Sequence, residues 1–251
     1  MDKKMEVNAA ELVKPYKELD SGKKQQVAQM FDNISHKYDF LNHFLSLGID
    51  ILWRKKAVKL LKPFAPKMML DIATGTGDFA IECLSLKPEK IIGIDISNGM
   101  LEIGKQKLKK KAILNTIELV HGDSEKINFN DQTFDAITVA FGVRNFEHLE
   151  QGLSEMSRVL KPGGAAAILE FSKPTMFPLK QLYNLYFLKI LPALGKKISS
   201  DASAYTYLPE SVQAFPDGQK MVSIIKSCGF NEVKLYPLTG GIATIYLSQK
   251  K

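Results

Sequence analysis

Three aspartates and a glycine pair sit at spacings that suit recognition of a nucleoside. Asp71 lies inside an apolar run, and Gly75-Thr76-Gly77 begins four residues further on. Asp95 ends a second apolar run, 18 residues after Gly77, and Asp123-Ser124 follows a third. Glycines at such a turn let the backbone approach a ligand with no Cβ in the way. A carboxylate at the end of the second run accepts hydrogen bonds from ribose hydroxyls, and one after the third accepts from an adenine amino group. With Ala80 the loop also matches G-x-G-x-x-A, the dinucleotide fingerprint. Both a nicotinamide-dependent oxidoreductase and an S-adenosylmethionine-dependent enzyme therefore have to be weighed.

Asp71 favours the second. A dinucleotide presents a pyrophosphate, which repels a nearby carboxylate, whereas S-adenosylmethionine presents an ammonium and a sulfonium. Asp123-Ser124 and a closing hairpin, unusual for nicotinamide domains, point the same way. The cofactor set read from the sequence is Asp71, Gly75, Thr76, Gly77, Asp95, Asp123 and Ser124. Plain roles also fit two of them: a strand-end turn for Asp95, and a helix N-cap for Asp123.

A second group follows the fourth apolar run. The Arg144 guanidinium stays charged and can hold an oxyanion. Asn145 is placed to orient the same oxygen. Histidine as a residue type titrates near neutrality, which makes His148 the candidate proton acceptor, with a surface histidine as the alternative. No metal is expected, because His36, His43, His121 and His148 share no ligand spacing. Cys83 and Cys228 are far apart in sequence and read as buried free thiols, which fits a reducing cytoplasm.

These groups need a frame. Apolar runs at 68–73, 91–95, 117–120, 134–141 and 165–171 read as strands, with helical patterns at 78–85, 100–110 and 149–160 between them and a Pro162-Gly163-Gly164 turn before the fifth strand. Strand–helix alternation predicts an α/β fold with a mostly parallel sheet and helices on both faces. A helix at 219–227 is followed by strands at 231–238 and 242–248 around Gly240-Gly241, a hairpin that closes the sheet with an antiparallel strand. Residues 1–22 are polar, and 25–61 carry a helical pattern, so 1–62 reads as a helical segment packed on a core domain of 63–251. Residues 174–216, rich in Tyr, Phe, Leu and Pro, break the rhythm as an insertion over one end of the sheet.

Composition narrows the partners. The chain has 251 residues, enough for one large α/β domain, and a formal net charge of +7. Basic charge suits nucleic acid or an anionic membrane face. Nucleic acid is not expected, since no stripe interleaves aromatic with basic residues for base stacking. The densest cationic run, Lys105 to Lys111, fits a solvated helix C-terminus or weak attraction to anionic lipid. The N-terminus lacks the apolar core of a signal peptide, and no stretch reads as a membrane span. The expected location is the cytoplasm, with peripheral contact at the inner membrane face. The sequence leaves the oligomeric state open.

Asp71 to Gly77, Asp95, Asp123 and the Leu160-Lys161-Pro162-Gly163-Gly164 turn resemble class I methyltransferases, over residues 60–250. That resemblance implies a Rossmann-like, seven-stranded sheet with an antiparallel closing strand, and S-adenosyl-L-methionine as cofactor. Longer segments are more specific: Tyr38-Asp39-Phe40-Leu41-Asn42 through Trp53-Arg54, Phe141-Gly142-Val143-Arg144-Asn145, Arg158 through Pro174, Tyr207-Leu208-Pro209-Glu210-Ser211 and Phe215-Pro216-Asp217. Together they resemble the C-methyltransferases of menaquinone and ubiquinone biosynthesis. The chain departs from that pattern at Leu41 (usually Met), Asp50 (usually His), Ala140 (Ser in some relatives) and Ala166 (usually Met or Phe).

The resemblance implies cofactor contacts from Thr76, Asp95, Asp123 and Ser124, and methylation of a polyprenyl quinol ring, demethylmenaquinol to menaquinol. The alternative acceptor is another small apolar molecule, such as a benzoquinol, a sterol or a fatty acyl chain. Arg144, Asn145 and His148 form the catalytic set on this reading. Tyr38 and Asp39 either close over the substrate or tie the N-terminal helices to the sheet. Leu182, Tyr183, Leu185, Tyr186, Phe187, Ile190 and Leu191 cover the prenyl tail, touch a membrane or pack on the sheet.

Overall fold

The computed structural model describes residues 12–46, 48–190, 201 and 203–251, with the backbone alone for 37–45 and 188. Seven strands form one sheet: β1 (Met68–Ile72), β2 (Lys90–Asp95), β3 (Ile117–His121), β4 (Phe134–Ala140), β5 (Leu160–Phe171), β6 (Glu232–Leu238) and β7 (Ala243–Gln249). Their order is β3-β2-β1-β4-β5-β7-β6. The first five pair in parallel, and β7 runs antiparallel to both β5 and β6. This is the expected fold, with the antiparallel strand lying between β5 and β6.

The apolar runs explain the layering. A strand points alternate side chains to opposite faces, so a strand buried on both faces reads as continuously apolar. On one face Leu70, Ile72, Ile137, Val139, Ala166, Ile168 and Tyr246 share a core with α5 (Leu149–Val159) and α8 (Gly218–Ser227). On the other, Met69, Ile91, Ala136, Ala167, Leu169 and Ile245 pack with α2 (Ile49–Leu61), α3 (Asp78–Cys83) and α4 (Asn98–Lys110). Cys83 and Cys228 are buried free thiols in these layers.

The helical segment read over 25–61 is two helices, α1 (Lys23–Leu45) and α2, and Gly48, at a left-handed φ of 73°, caps the start of the second. One expectation is corrected. Pro162-Gly163-Gly164 is not a turn ahead of the fifth strand but an irregularity within it. Between the pairs Phe134↔Leu160 and Ala136↔Ala165, β4 advances by two residues while β5 advances by five. Gly163, at φ 77°, accommodates the surplus residues.

The helical insertion contributes α6 (Leu179–Leu185), a π-turn at Tyr186–Ile190 and α7 (Ser203–Ala214). Val27, Met30 and Ile34 of α1 form a third core with Tyr183, Phe187, Tyr205, Tyr207 and Val212 of this insertion. The segments following β1, β2, β4 and β5, all at the same end of the parallel sheet, contribute residues to the cavities that α1 and the insertion help enclose. That is where an open α/β sheet binds its ligands.

Candidate active site

The glycine loop is fixed from beneath. Asp71 is 1% exposed, and its two oxygens accept from the hydroxyls of Thr138 and Thr74, each at 2.6 Å. Burial pushes its carboxyl up to about 6, with the two hydroxyls and the Ala80 N–H pulling it back. Thr74 N–H donates to Ile94 O, and Gly77 N–H to Thr74 O, which locks the turn between β1 and α3. Gly75 takes φ 55° with open space where a side chain would stand. Its N–H donates to Asp95 Oδ2 at 2.8 Å, and Ser97 N–H donates to Asp95 Oδ1 at 2.8 Å. Burial raises the Asp95 carboxyl above its ordinary range, and the Ser97 and Gly75 N–H groups oppose the rise.

A second acidic group lies after β3. Gly75, Asp95, Gly122, Asp123, Ser124, Glu125 and Asn145 line one small cleft of about 60 Å³. Helix α1 spans its outer side. Lys24 pairs with Asp123 at 2.8 Å and Glu125 at 2.9 Å, and Asp32 accepts from Ser97 Oγ at 2.6 Å and Gly99 N–H at 2.8 Å. Lys23 Nζ donates to the carbonyls of Arg144 and Phe146 and so ties α1 to the turn after β4.

Beside the cleft is a much larger chamber of about 630 Å³. Phe31 and Phe141 line both cavities, so the two meet there. Trp53, Phe171, Tyr183, Tyr186, Phe187 and Tyr207 supply much of the chamber wall, and Arg144 is the one charged side chain among the described residues lining it. The guanidinium is oriented by Glu170, with Nη1 to Oε1 at 2.9 Å, and Nη1 also donates to Phe141 O. It lies 5.6 Å from the centre of the Phe171 ring, a cation–π contact. Its Nε is buried and has no hydrogen-bond partner among the described residues. Glu170 is fully buried; desolvation raises its carboxyl, and Arg144 pulls it back down. Asn145 accepts from the Tyr207 hydroxyl at 3.0 Å and donates to Phe141 O at 3.3 Å.

The structure therefore brings Gly75, Asp95, Asp123, Ser124 and Asn145 to one cleft and Arg144 to the adjoining chamber. Asp71 lies beneath the loop, off the cleft wall. Thr76 Oγ1 accepts from Lys107 Nζ at 2.8 Å, and Gly77 caps α3; neither lines the cleft. His148 is exposed at the N-cap of α5 and lines neither cavity. The side chains of Tyr38 and Asp39 lie outside the described residues. Asp50, the departure from His, is buried and holds Arg54 at 2.6 Å and Ser46 Oγ at 2.5 Å.

Sequence reasoning passed over Lys24 and the pairings of Glu170 and Tyr207. Lys24 stands in a polar helix start with no local signal. Glu170 was visible as an acid inside an apolar strand, a pattern that calls for a buried cation as partner.

The family model described as the ubiE/COQ5 methyltransferase family matches residues 19–250. A demethylmenaquinone methyltransferase of Bacteroides fragilis is 52% identical over 241 residues, spanning 96% of this chain and 98% of that protein. A ubiquinone/menaquinone biosynthesis C-methyltransferase UbiE of Geotalea uraniireducens is 45% identical, over 91% of this chain and 97% of its own length. Among solved structures, an S-adenosylmethionine-dependent methyltransferase of Thermotoga maritima, described as a possible histamine N-methyltransferase, superposes with a TM-score of 0.63. It is 19% identical over 89% of this chain and 99% of that one, a likeness of fold.

Proposed function

The chain belongs to the ubiE/COQ5 methyltransferase family and is an S-adenosylmethionine-dependent methyltransferase, and from that premise we propose that it methylates a ring carbon of a polyprenyl quinol, demethylmenaquinol to menaquinol. The observation that carries the acceptor is the pairing of an acid-lined cleft with an aromatic chamber whose described wall holds one charge, Arg144. The relatives at 52% and 45% identity are named for methylation of demethylmenaquinone and for C-methylation in ubiquinone and menaquinone biosynthesis.

The cleft's donor set fits the cofactor. Asp95 and Asp123 each use part of their acceptor capacity on protein partners, which leaves lone pairs for ribose hydroxyls and an adenine amino group. Their charge, with Glu125, suits a cationic ligand, and Gly75 leaves backbone unshielded beside it. S-adenosylmethionine, when bound, supplies an electrophilic methyl group.

The chain's own residues prepare the acceptor. A ring carbon attacks well only when the neighbouring oxygen is ionised, and a phenol ionises near pH 10 in water. Arg144 lowers that threshold by holding the oxyanion, and the surrounding apolar wall strengthens the attraction. Glu170 and Phe141 O fix the guanidinium through Nη1, and its Nε–H has no protein partner among the described residues. Arg144 does not take the proton; a bound water or another side chain carries it away. Asn145, gripped by Tyr207 and Phe141 O, keeps the turn beside the oxygen rigid.

The prenyl tail leaves through the chamber mouth. Leu52 and Leu182 line the chamber and are 63% and 59% exposed, and Met176 and Phe177 at 66% and 79% extend the apolar surface. Lys55, Lys56 and Lys180 are exposed close by in sequence. This edge is the surface for peripheral contact with an anionic membrane. No helix among the described residues is long and apolar enough to cross one.

The test is methyl transfer from labelled S-adenosylmethionine to a reduced prenyl naphthoquinol lacking the ring methyl, read by mass spectrometry. Label on the ring is expected. Label absent from the naphthoquinol refutes the assignment.

A further inference from the structure

The chamber wall has a second polar atom that the fold leaves without a partner. Among the described residues, the Tyr183 hydroxyl is buried with no hydrogen bond, as is Arg144 Nε, and both residues line the chamber. Buried polar groups are nearly always satisfied, so an orphan in a cavity wall points to a ligand atom. Packing alone holds Tyr183 there: its ring stacks on Phe187, with centroids 4.7 Å apart and 19° between planes. Phe187 meets Phe171 edge-on at 5.7 Å, and Phe171 carries the Arg144 guanidinium. The two residues with unpartnered polar atoms therefore belong to one continuous aromatic wall.

We infer that Tyr183 is a substrate-holding residue, its hydroxyl binding the ring oxygen of the acceptor that Arg144 does not hold. The inference rests on the quinol reading above. A quinol ring carries two oxygens on opposite carbons. A guanidinium suits the ionised one, and a neutral hydroxyl suits the one that keeps its proton. Burial holds the Tyr183 hydroxyl protonated far above the ordinary phenol range, against the pull of Arg144, so it serves as a neutral hydrogen-bonding group and not as a base. Two unlike anchors fix which oxygen ionises, and hence which ring carbon is activated.

The experiment compares Tyr183→Phe with the wild type on two acceptors: a prenyl naphthoquinol, and the matching prenyl 1-naphthol with one ring oxygen. Phenylalanine keeps the stack on Phe187 and removes only the hydroxyl. For Tyr183→Phe we expect kcat/KM on the quinol to fall about tenfold, one neutral hydrogen bond lost, with the naphthol value within about twofold of wild type. The quinol-to-naphthol ratio does not depend on how much enzyme is folded, so a destabilised variant still reports. Equal falls on both acceptors mark a structural role and overturn the inference, as does an unchanged ratio. A wild type that methylates neither acceptor overturns the quinol reading itself, and the inference with it.

Discussion

Arg144 and Glu170 form a buried ion pair, 7% and 0% exposed at the side chain, with Nη1 and Oε1 2.9 Å apart. The pair lies between β5 and the turn after β4, so it ties the proposed oxyanion-holding cation to the sheet. Glu170→Gln keeps the shape and removes the counter-charge. Breaking one side of a buried pair costs about 3–5 kcal/mol. We expect a loss of that order in chemical denaturation and a large fall in kcat, with S-adenosylmethionine affinity within about twofold. Unchanged stability would remove the pair from the account.

Asp71 predicts a pH dependence. Its carboxyl is raised in the folded state from 3.8 to about 6, so folding takes up a proton between those values. Stability then falls as pH rises through that window, by on the order of 3 kcal/mol, and the cost is complete above it. Asp71→Asn removes the charge while Thr74 and Thr138 remain to bond the amide. The stability of the variant relative to wild type should climb between pH 4 and 7. A difference that is the same at every pH would contradict this origin.

Asp95→Asn tests the proposed cofactor cleft. An amide cannot accept through both terminal atoms, so one of the Gly75 and Ser97 N–H groups loses its partner, and the ribose loses a charged acceptor. Calorimetry should show S-adenosylmethionine and S-adenosylhomocysteine weakened alike, by roughly 10- to 100-fold, since both carry the ribose. Weakening of the sulfonium compound alone would assign Asp95 to charge recognition instead.

Met176 and Phe177 are exposed and line neither cavity. Changing both to Asp should lower co-sedimentation with vesicles containing anionic lipid, while turnover on a short-chain quinol in solution stays unchanged. Equal vesicle binding by variant and wild type would place membrane contact elsewhere.

What was legible in the sequence follows from physics that acts locally or periodically. Continuous apolar runs identified the strands of a doubly covered sheet, and Gly75 and Asp95 lie next to strand ends that the same runs define. Pairings across the chain were not legible. Lys24 meets Asp123 from 99 residues away, and Tyr207 meets Asn145 from 62. Nothing in the local pattern of α1 says that it lines the cleft with Asp95 and Asp123. Asp71 stood out as an acid in an apolar strand, but its place beneath the loop, bonded to Thr138 in another strand, was not legible.

The central claim is that Arg144 accelerates transfer by holding an ionised ring oxygen. Its most direct test is turnover of Arg144→Met on the prenyl naphthoquinol at saturating acceptor, with active enzyme counted by S-adenosylhomocysteine binding. Removing one preorganised oxyanion donor costs about 100- to 1,000-fold in kcat. The account predicts a loss in that range with S-adenosylmethionine affinity within about twofold of wild type. A kcat within about twofold of wild type would contradict it.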